Sequence, residues 1–256
     1  MLNAPQRPIV IMAGPCAVES TEQLESVAEA VRACGLHWLR GGTYKPRTSP
    51  YSFQGLGDEG LRILSEVGRK YDLQMITEVV DIAHVGQLDA SVDCLQIGTR
   101  NMANYELLKE VGKVTARSGK RVLLKRGMAA TIDEWIAASE YLTTAGSTHV
   151  MLCERGIRTF ETATRFTLDI AAVPVVHKQS VLPVCVDVSH PAGQSDLVPA
   201  LAKAAVAAGC DALMIEVHPD PLHALSDGPQ QLNIAQFTQL IDELRELASA
   251  LGRTLA

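Results

Sequence analysis

Ala13-Gly14-Pro15-Cys16-Ala17-Val18-Glu19-Ser20 closes the first apolar run of the chain, Ile9–Ala13, and its reading decides the fold. A doubly wound sheet built to hold a dinucleotide carries a glycine-rich fingerprint at this first turn. The turn here has a single glycine and no such fingerprint. The other α/β architecture that alternates strands with helices is the closed (β/α)8 TIM barrel. Eight short β-branched or apolar runs are spaced along the chain: Ile9–Ala13, His37–Arg40, Gln74–Thr77, Cys94–Ile97, Arg121–Lys125, His149–Leu152, Val184–Asp187 and Ala212–Glu216.

Between these runs the apolar residues recur at helical spacing. Leu24, Val27, Ala28 and Val31 make one stripe, and Leu61, Leu64 and Val67 a second. Phe237, Leu240, Ile241, Leu244, Ala248 and Leu251 make the longest. Ser20, Thr131 and Ser195 are expected as helix N-caps. Eight strand–helix units fill a barrel of about 250 residues, and no Pro/Ser/Gly-rich linker interrupts them. Residues 1–256 are therefore expected to form a single (β/α)8 catalytic domain with no separate regulatory domain.

Composition narrows the function classes. A hydrophobic content of 47% supports a large core and excludes disorder. No apolar run approaches the roughly 18–20 residues of a membrane span, and Met1–Pro8 lacks a signal-peptide pattern. A net charge of −6 argues against nucleic acid as a partner. Six cysteines, at 16, 34, 94, 153, 185 and 210, include no Cys-x-x-Cys pair, as expected of a reduced, cytoplasmic protein.

Barrel enzymes place their chemistry at the C-terminal strand ends, and all eight ends carry a charged residue, a histidine or a cysteine. They are Cys16; Arg40 with Lys45 and Arg47; Glu78; Arg100; Lys125; Glu154 with Arg155; Asp187 with His190; and Glu216 with Asp227 in the following loop. Arg40, Lys45, Arg47, Arg100, Lys125 and Arg155 form a cationic bowl in an acidic protein, and phosphate is its natural occupant. Cys16, His190, Glu216 and Asp227 offer sulfur, nitrogen and oxygen, a set suited to a borderline divalent transition metal. Lys125 admits two readings, a phosphate ligand or a Schiff-base lysine. Neighbouring arginines would lower its pKa. The other five cysteines are expected to be packing residues.

At these residues the sequence resembles the 3-deoxy-D-arabino-heptulosonate 7-phosphate (DAHP) synthases, in particular their compact microbial type I beta subtype. The resemblance runs from about Val10 to Leu244. It rests on GPCAVES (14–20), LRGGTYKPRTSPYSFQGLG (39–57), ITEVVD (76–81), QIGTRNMAN (96–104), LLKRGM (123–128), LCERGIRTFE (152–161), VDVSHPAGQ (186–194) and LMIEVHPDPLHALSDGPQQL (213–232). It implies a metal-dependent condensation of phosphoenolpyruvate with erythrose 4-phosphate, the first step of the shikimate pathway to aromatic amino acids. The implied metal ligands are Cys16, His190, Glu216 and Asp227, with Mn2+ favoured over Co2+, Fe2+ or Zn2+. Arg100, Lys125 and Arg155 match the residues that hold the phosphoenolpyruvate phosphate, with Thr99 beside them and Arg40 and Lys45 near its carboxylate. Arg47 and Thr48 match the tetrose phosphate site. Lys45, Glu78, Asp187 and His190 are the implied catalytic groups, and a homodimer or homotetramer is the implied assembly.

Four positions depart from the family pattern: Thr99 for alanine, Val188 for proline, His177 for arginine and Val181 for histidine. None removes an implied ligand. A chain beginning almost directly at strand one also leads us to expect little intrinsic inhibition by phenylalanine or tyrosine. The nearest rival is 3-deoxy-D-manno-octulosonate 8-phosphate synthase, whose corresponding loop reads Lys-Ala-Asn-Arg-Ser-Ser rather than Lys45-Pro-Arg-Thr-Ser-Pro50. A sialic-acid-type synthase would have no acceptor phosphate for Arg47. A Schiff-base aldolase using Lys125 would ignore chelators, and a silent scaffold would have no use for an intact ligand set.

Overall fold

The computed structural model describes residues 8–46 and 49–256. Eight parallel strands close into one barrel: β1 (Val10–Gly14), β2 (Trp38–Arg40), β3 (Gln74–Val79), β4 (Cys94–Ile97), β5 (Arg121–Lys125), β6 (Val150–Glu154), β7 (Val184–Asp187) and β8 (Ala212–Glu216). Each strand pairs with the next in sequence, and β8 returns to β1 with Val10 opposite Ala212 and Gly14 opposite Glu216. The outer layer holds α1 (Thr21–Ala33), α2 (Asp58–Lys70), α3 (Val85–Ser91), α4 (Tyr105–Ser118), α5 (Ile132–Thr144), α6 (Ala172–Gln179), α7 (Ser189–Ala192), α8 (Val198–Ala207) and α9 (Ile234–Ala250).

Side chains of a strand alternate between its two faces, so each strand feeds two cores. The outward residues, among them Ile11, Ala13, Val122, Leu124, Leu213 and Ile215, pack under the helices. The inward set is smaller and rich in sulfur: Met12, Trp38, Ile76, Cys94, Leu123, Cys153, Cys185, Ala212 and Met214 fill the barrel. The expected stripes on α1 and α2 are buried. On α9 burial ends at Ala248; Leu251 caps the helix and is partly exposed.

Ser20 and Thr131 cap α1 and α5, Thr131 within a reciprocal capping box with Glu134. Ser195 departs from expectation. It opens a one-turn 3-10 helix, and α8 follows Leu197 with no side-chain cap, its second residue being Pro199. Strand six also runs two residues further than the sequence predicts, to Glu154.

Candidate active site at the mouth of the barrel

The alternation that fills the barrel also builds its mouth. Two residues beyond an inward apolar side chain, each strand from β2 to β8 presents an inward polar one. Trp38 is followed by Arg40, Ile76 by Glu78, Cys94 by Gln96, Leu123 by Lys125, Cys153 by Arg155, Cys185 by Asp187 and Met214 by Glu216. On β1 the corresponding position is Gly14, and the next in phase is Cys16. Residues out of phase turn to the helix side. Glu154 bonds Arg126 at 2.9 Å, and Arg126 also reaches Asp169 at 2.8 Å. Their pairing separates Glu154 from Arg155, which sequence reading had grouped at one strand end.

A cavity of about 270 Å³ opens above this layer. Its walls include Lys45, Glu78, Thr99, Arg100, Lys125, Arg155, His190 and Asp227, joined by Arg165 and Phe166. Arg40, Asp187, Cys16 and Glu216 lie buried beneath it. Arg40 is locked there, donating to the Pro15 carbonyl and lying 3.1 Å from Glu216. Arg47 and Thr48, expected at a second phosphate site, lie outside the described residues.

Ion pairs set the charge of the floor. Lys125 Nζ stands 2.6 Å from Asp187 Oδ2. Burial, the largest single influence, lowers the Lys125 pKa, but the charge and hydrogen bond of Asp187 together with Cys153 bring the net shift upward. Arg40 does lower it, as expected of a neighbouring arginine, but the net shift is upward, which disfavours the neutral amine a Schiff base needs. Asp187 also lies 2.7 Å from His190 Nδ1. Burial opposes its ionisation, yet His190 and Lys125 hold it well below the usual carboxylate range. Thr99 donates to the Arg126 carbonyl at 2.6 Å, tying the loop of Arg100 to the end of β5.

Cys16, His190, Glu216 and Asp227 come together, their ligand atoms all within 4.8 Å of one another. His190 Nε2 lies 3.6 Å from Glu216 Oε1 and 3.8 Å from Asp227 Oδ2, while Cys16 Sγ is 3.5 Å from that same Oδ2. With Nδ1 turned to Asp187, the imidazole points its other nitrogen at the carboxylates, as a histidine does when a carboxylate behind it fixes its ring for a metal. Burial and the Glu216 charge push the Cys16 thiol up to about 11. A cation among these donors would reverse that shift and compensate the buried Glu216 and half-buried Asp227 carboxylates. The donor set fits a divalent ion. Asp227 sits in the left-handed backbone region at φ 53°, strain of a kind that clusters at functional sites.

Glu78 is held by Gln96 Nε2 at 3.1 Å. Gly98 makes room for it, since a Cβ there would come 2.0 Å from Glu78 Oε1. Gly98→Ala is therefore expected to expel the carboxylate and reduce kcat by about 10-fold or more. Steady-state turnover beside a thermal melt checks this, and an unchanged kcat would contradict it.

Sequence reading missed Arg165 and Gln230. Arg165 reaches Asp227 at 3.0 Å and Gln230 at 2.6 Å, and Gln230 reaches Glu216 at 2.6 Å. Arg165 lies in the long loop between β6 and α6, away from any strand end, so the strand-end rule could not find it.

Fold and site together define a (β/α)8 barrel whose cationic cavity adjoins a potential metal-binding cluster. The model of the DAHP synthetase I family matches residues 2–253, and the chain belongs to that family. A phospho-2-dehydro-3-deoxyheptonate aldolase of Thermotoga maritima is 49% identical over 242 residues, 94% of this chain and 70% of that protein. The crystal structure of the phospho-2-dehydro-3-deoxyheptonate aldolase (DAHP synthase) from Thermotoga maritima superposes with a TM-score of 0.93 at 47% identity, covering 97% of this chain and 72% of that one. A 2-dehydro-3-deoxyphosphooctonate aldolase of Methylococcus capsulatus is similar at 33% identity, over 98% of this chain and 91% of that protein. No helix among the described residues is long and apolar enough to cross a membrane.

Proposed function

We propose that the protein is a DAHP synthase, joining phosphoenolpyruvate to erythrose 4-phosphate with release of inorganic phosphate, the entry step of the shikimate pathway. The observation that carries this reading is the convergence of the four-donor cluster with Lys45, Arg100, Lys125 and Arg155 at one barrel mouth. Identity of 49% to the heptonate enzyme against 33% to the octonate enzyme favours the four-carbon acceptor. So does the Lys45-Pro-Arg-Thr-Ser-Pro50 loop.

In this reading Cys16, His190, Glu216 and Asp227 hold a divalent transition-metal ion, as their mixed donor set supports, and the family resemblance favours manganese over cobalt, iron or zinc. A bound ion supplies Lewis-acid polarisation of the aldehyde oxygen. Arg100, Lys125 and Arg155 grip the phosphoenolpyruvate phosphate, with Thr99 fixing the Arg100 loop. Arg40 supports its carboxylate end from below, and Arg47 and Thr48 take the tetrose phosphate. Carbon 3 of the enol attacks the aldehyde carbon, and Lys45, whose Nζ lies 2.9 Å from Cys16 Sγ, protonates the alkoxide that forms. Glu78 faces the reacting carbons and stabilises the positive charge left at carbon 2. Water adds there, and the hemiketal phosphate collapses, breaking its carbon–oxygen bond to release phosphate. Asp187 keeps His190 oriented throughout. The setting we infer is a homodimer or homotetramer in a reducing cytoplasm, in keeping with free cysteines at all six positions.

The test is phosphate release from phosphoenolpyruvate with erythrose 4-phosphate or arabinose 5-phosphate, each with and without chelator. Turnover is expected with the tetrose, lost to chelator and restored by manganese. Faster release with the pentose, or chelator-insensitive turnover with a borohydride-trappable adduct on Lys125, would overturn the reading.

A further inference from the structure

The cations of the mouth differ in what holds them. Arg40 faces Glu216 at 3.1 Å, Lys125 faces Asp187 at 2.6 Å and Arg165 faces Asp227 at 3.0 Å. Arg155 forms no ion pair with a described carboxylate, and its hydrogen bond to the Gly156 carbonyl is long at 3.4 Å. What it has is a ring. Its guanidinium carbon lies 4.0 Å from the centroid of Phe166, and that of Arg165 lies 5.9 Å from the same centroid.

Phe166 is itself fixed. Its N–H donates to the Pro191 carbonyl at 3.1 Å, and a Cβ at Gly156 would come 2.7 Å from Phe166 Cβ, so the ring's base occupies that space. A carboxylate partner would orient Arg155 but cancel its charge. An aromatic face orients a guanidinium without cancelling anything, and leaves the N–H edges free for an anion.

We propose that Phe166 is a positioning residue for phosphoenolpyruvate, its ring supporting one face of Arg155 and spacing it from Arg165, so that Arg155 offers the substrate phosphate a charge held in no ion pair with a described carboxylate. The proposal rests on the reading of Arg155 as a phosphate anchor. Arg165 serves the Asp227 loop, and Phe166 stands between the two roles.

The test is equilibrium binding of phosphoenolpyruvate to the manganese-loaded protein by calorimetry, with no aldose present, for Phe166→Leu, Phe166→Tyr and Arg155→Lys, beside KM and kcat. Phe166→Leu is expected to weaken phosphoenolpyruvate binding by about 5- to 30-fold, leaving the KM for erythrose 4-phosphate and the thermal midpoint close to wild type. Phe166→Tyr keeps the ring and is expected to recover most of the affinity. Equal weakening by leucine and tyrosine, a parallel rise in both KM values, or wild-type binding by Phe166→Leu would overturn the proposal. Arg155→Lys separates the two layers: if it binds phosphoenolpyruvate as wild type does, the anchor reading itself fails. If it weakens binding while Phe166→Leu does not, only the ring's role falls.

Discussion

Cys16→Ala is expected to abolish metal-dependent turnover while leaving the barrel folded. Loss of a residue that merely orients a ligand commonly costs 10- to 100-fold in metal affinity or activity. Loss of a ligand should cost roughly 100-fold or more in kcat at limiting manganese. Stability responds differently. With its thiol pKa pushed up to about 11, Cys16 is neutral in the metal-free protein, so removing it uncovers no buried charge. Lys45 keeps its bond to the backbone carbonyl of residue 16 at 2.9 Å. The change in unfolding free energy should be about 1 kcal/mol. Turnover against manganese concentration and a urea melt check the two halves, and full activity in Cys16→Ala would contradict the ligand assignment.

Lys125→Met is expected to damage stability and binding together. Asp187 is fully buried and ionised, held by His190 on one side and Lys125 on the other. Removing Lys125 leaves a buried carboxylate short of a partner, a change that typically costs about 3–5 kcal/mol. The urea midpoint should fall with little change in its slope, and phosphoenolpyruvate affinity should fall at least about 10-fold. A loss below about 1 kcal/mol would mean that the pair is solvated rather than sealed in the barrel floor.

Much of this was legible in the sequence because two periodicities carry it. Exact bounds for β4, β5, β7 and β8 follow from their apolar runs. Strands three and six run two residues past their expected ends, to Val79 and Glu154, each carrying a carboxylate into the ladder. Counting in twos from Leu123 and Cys153 places Lys125 and Arg155 inward and sends Arg126 and Glu154 to the helix side, where they pair. The upward shift of Lys125 has the same root, since Asp187 is in phase with it at the barrel mouth and stands 2.6 Å from its Nζ. Ser195 failed as a cap because chain direction at a helix start depends on packing, which residue type alone does not fix. Arg165, Gln230 and Phe166 were out of reach for a further reason: they stand on loops whose return to the mouth is a tertiary event.

Cobalt titration of the metal-stripped protein, followed by the near-ultraviolet thiolate-to-cobalt charge-transfer band, tests most directly whether the four donors share one ion. One equivalent of Co2+ should generate the band in the wild-type protein and none in Cys16→Ala. A spectrum of purely oxygen and nitrogen coordination, or a band that survives in Cys16→Ala, would contradict it.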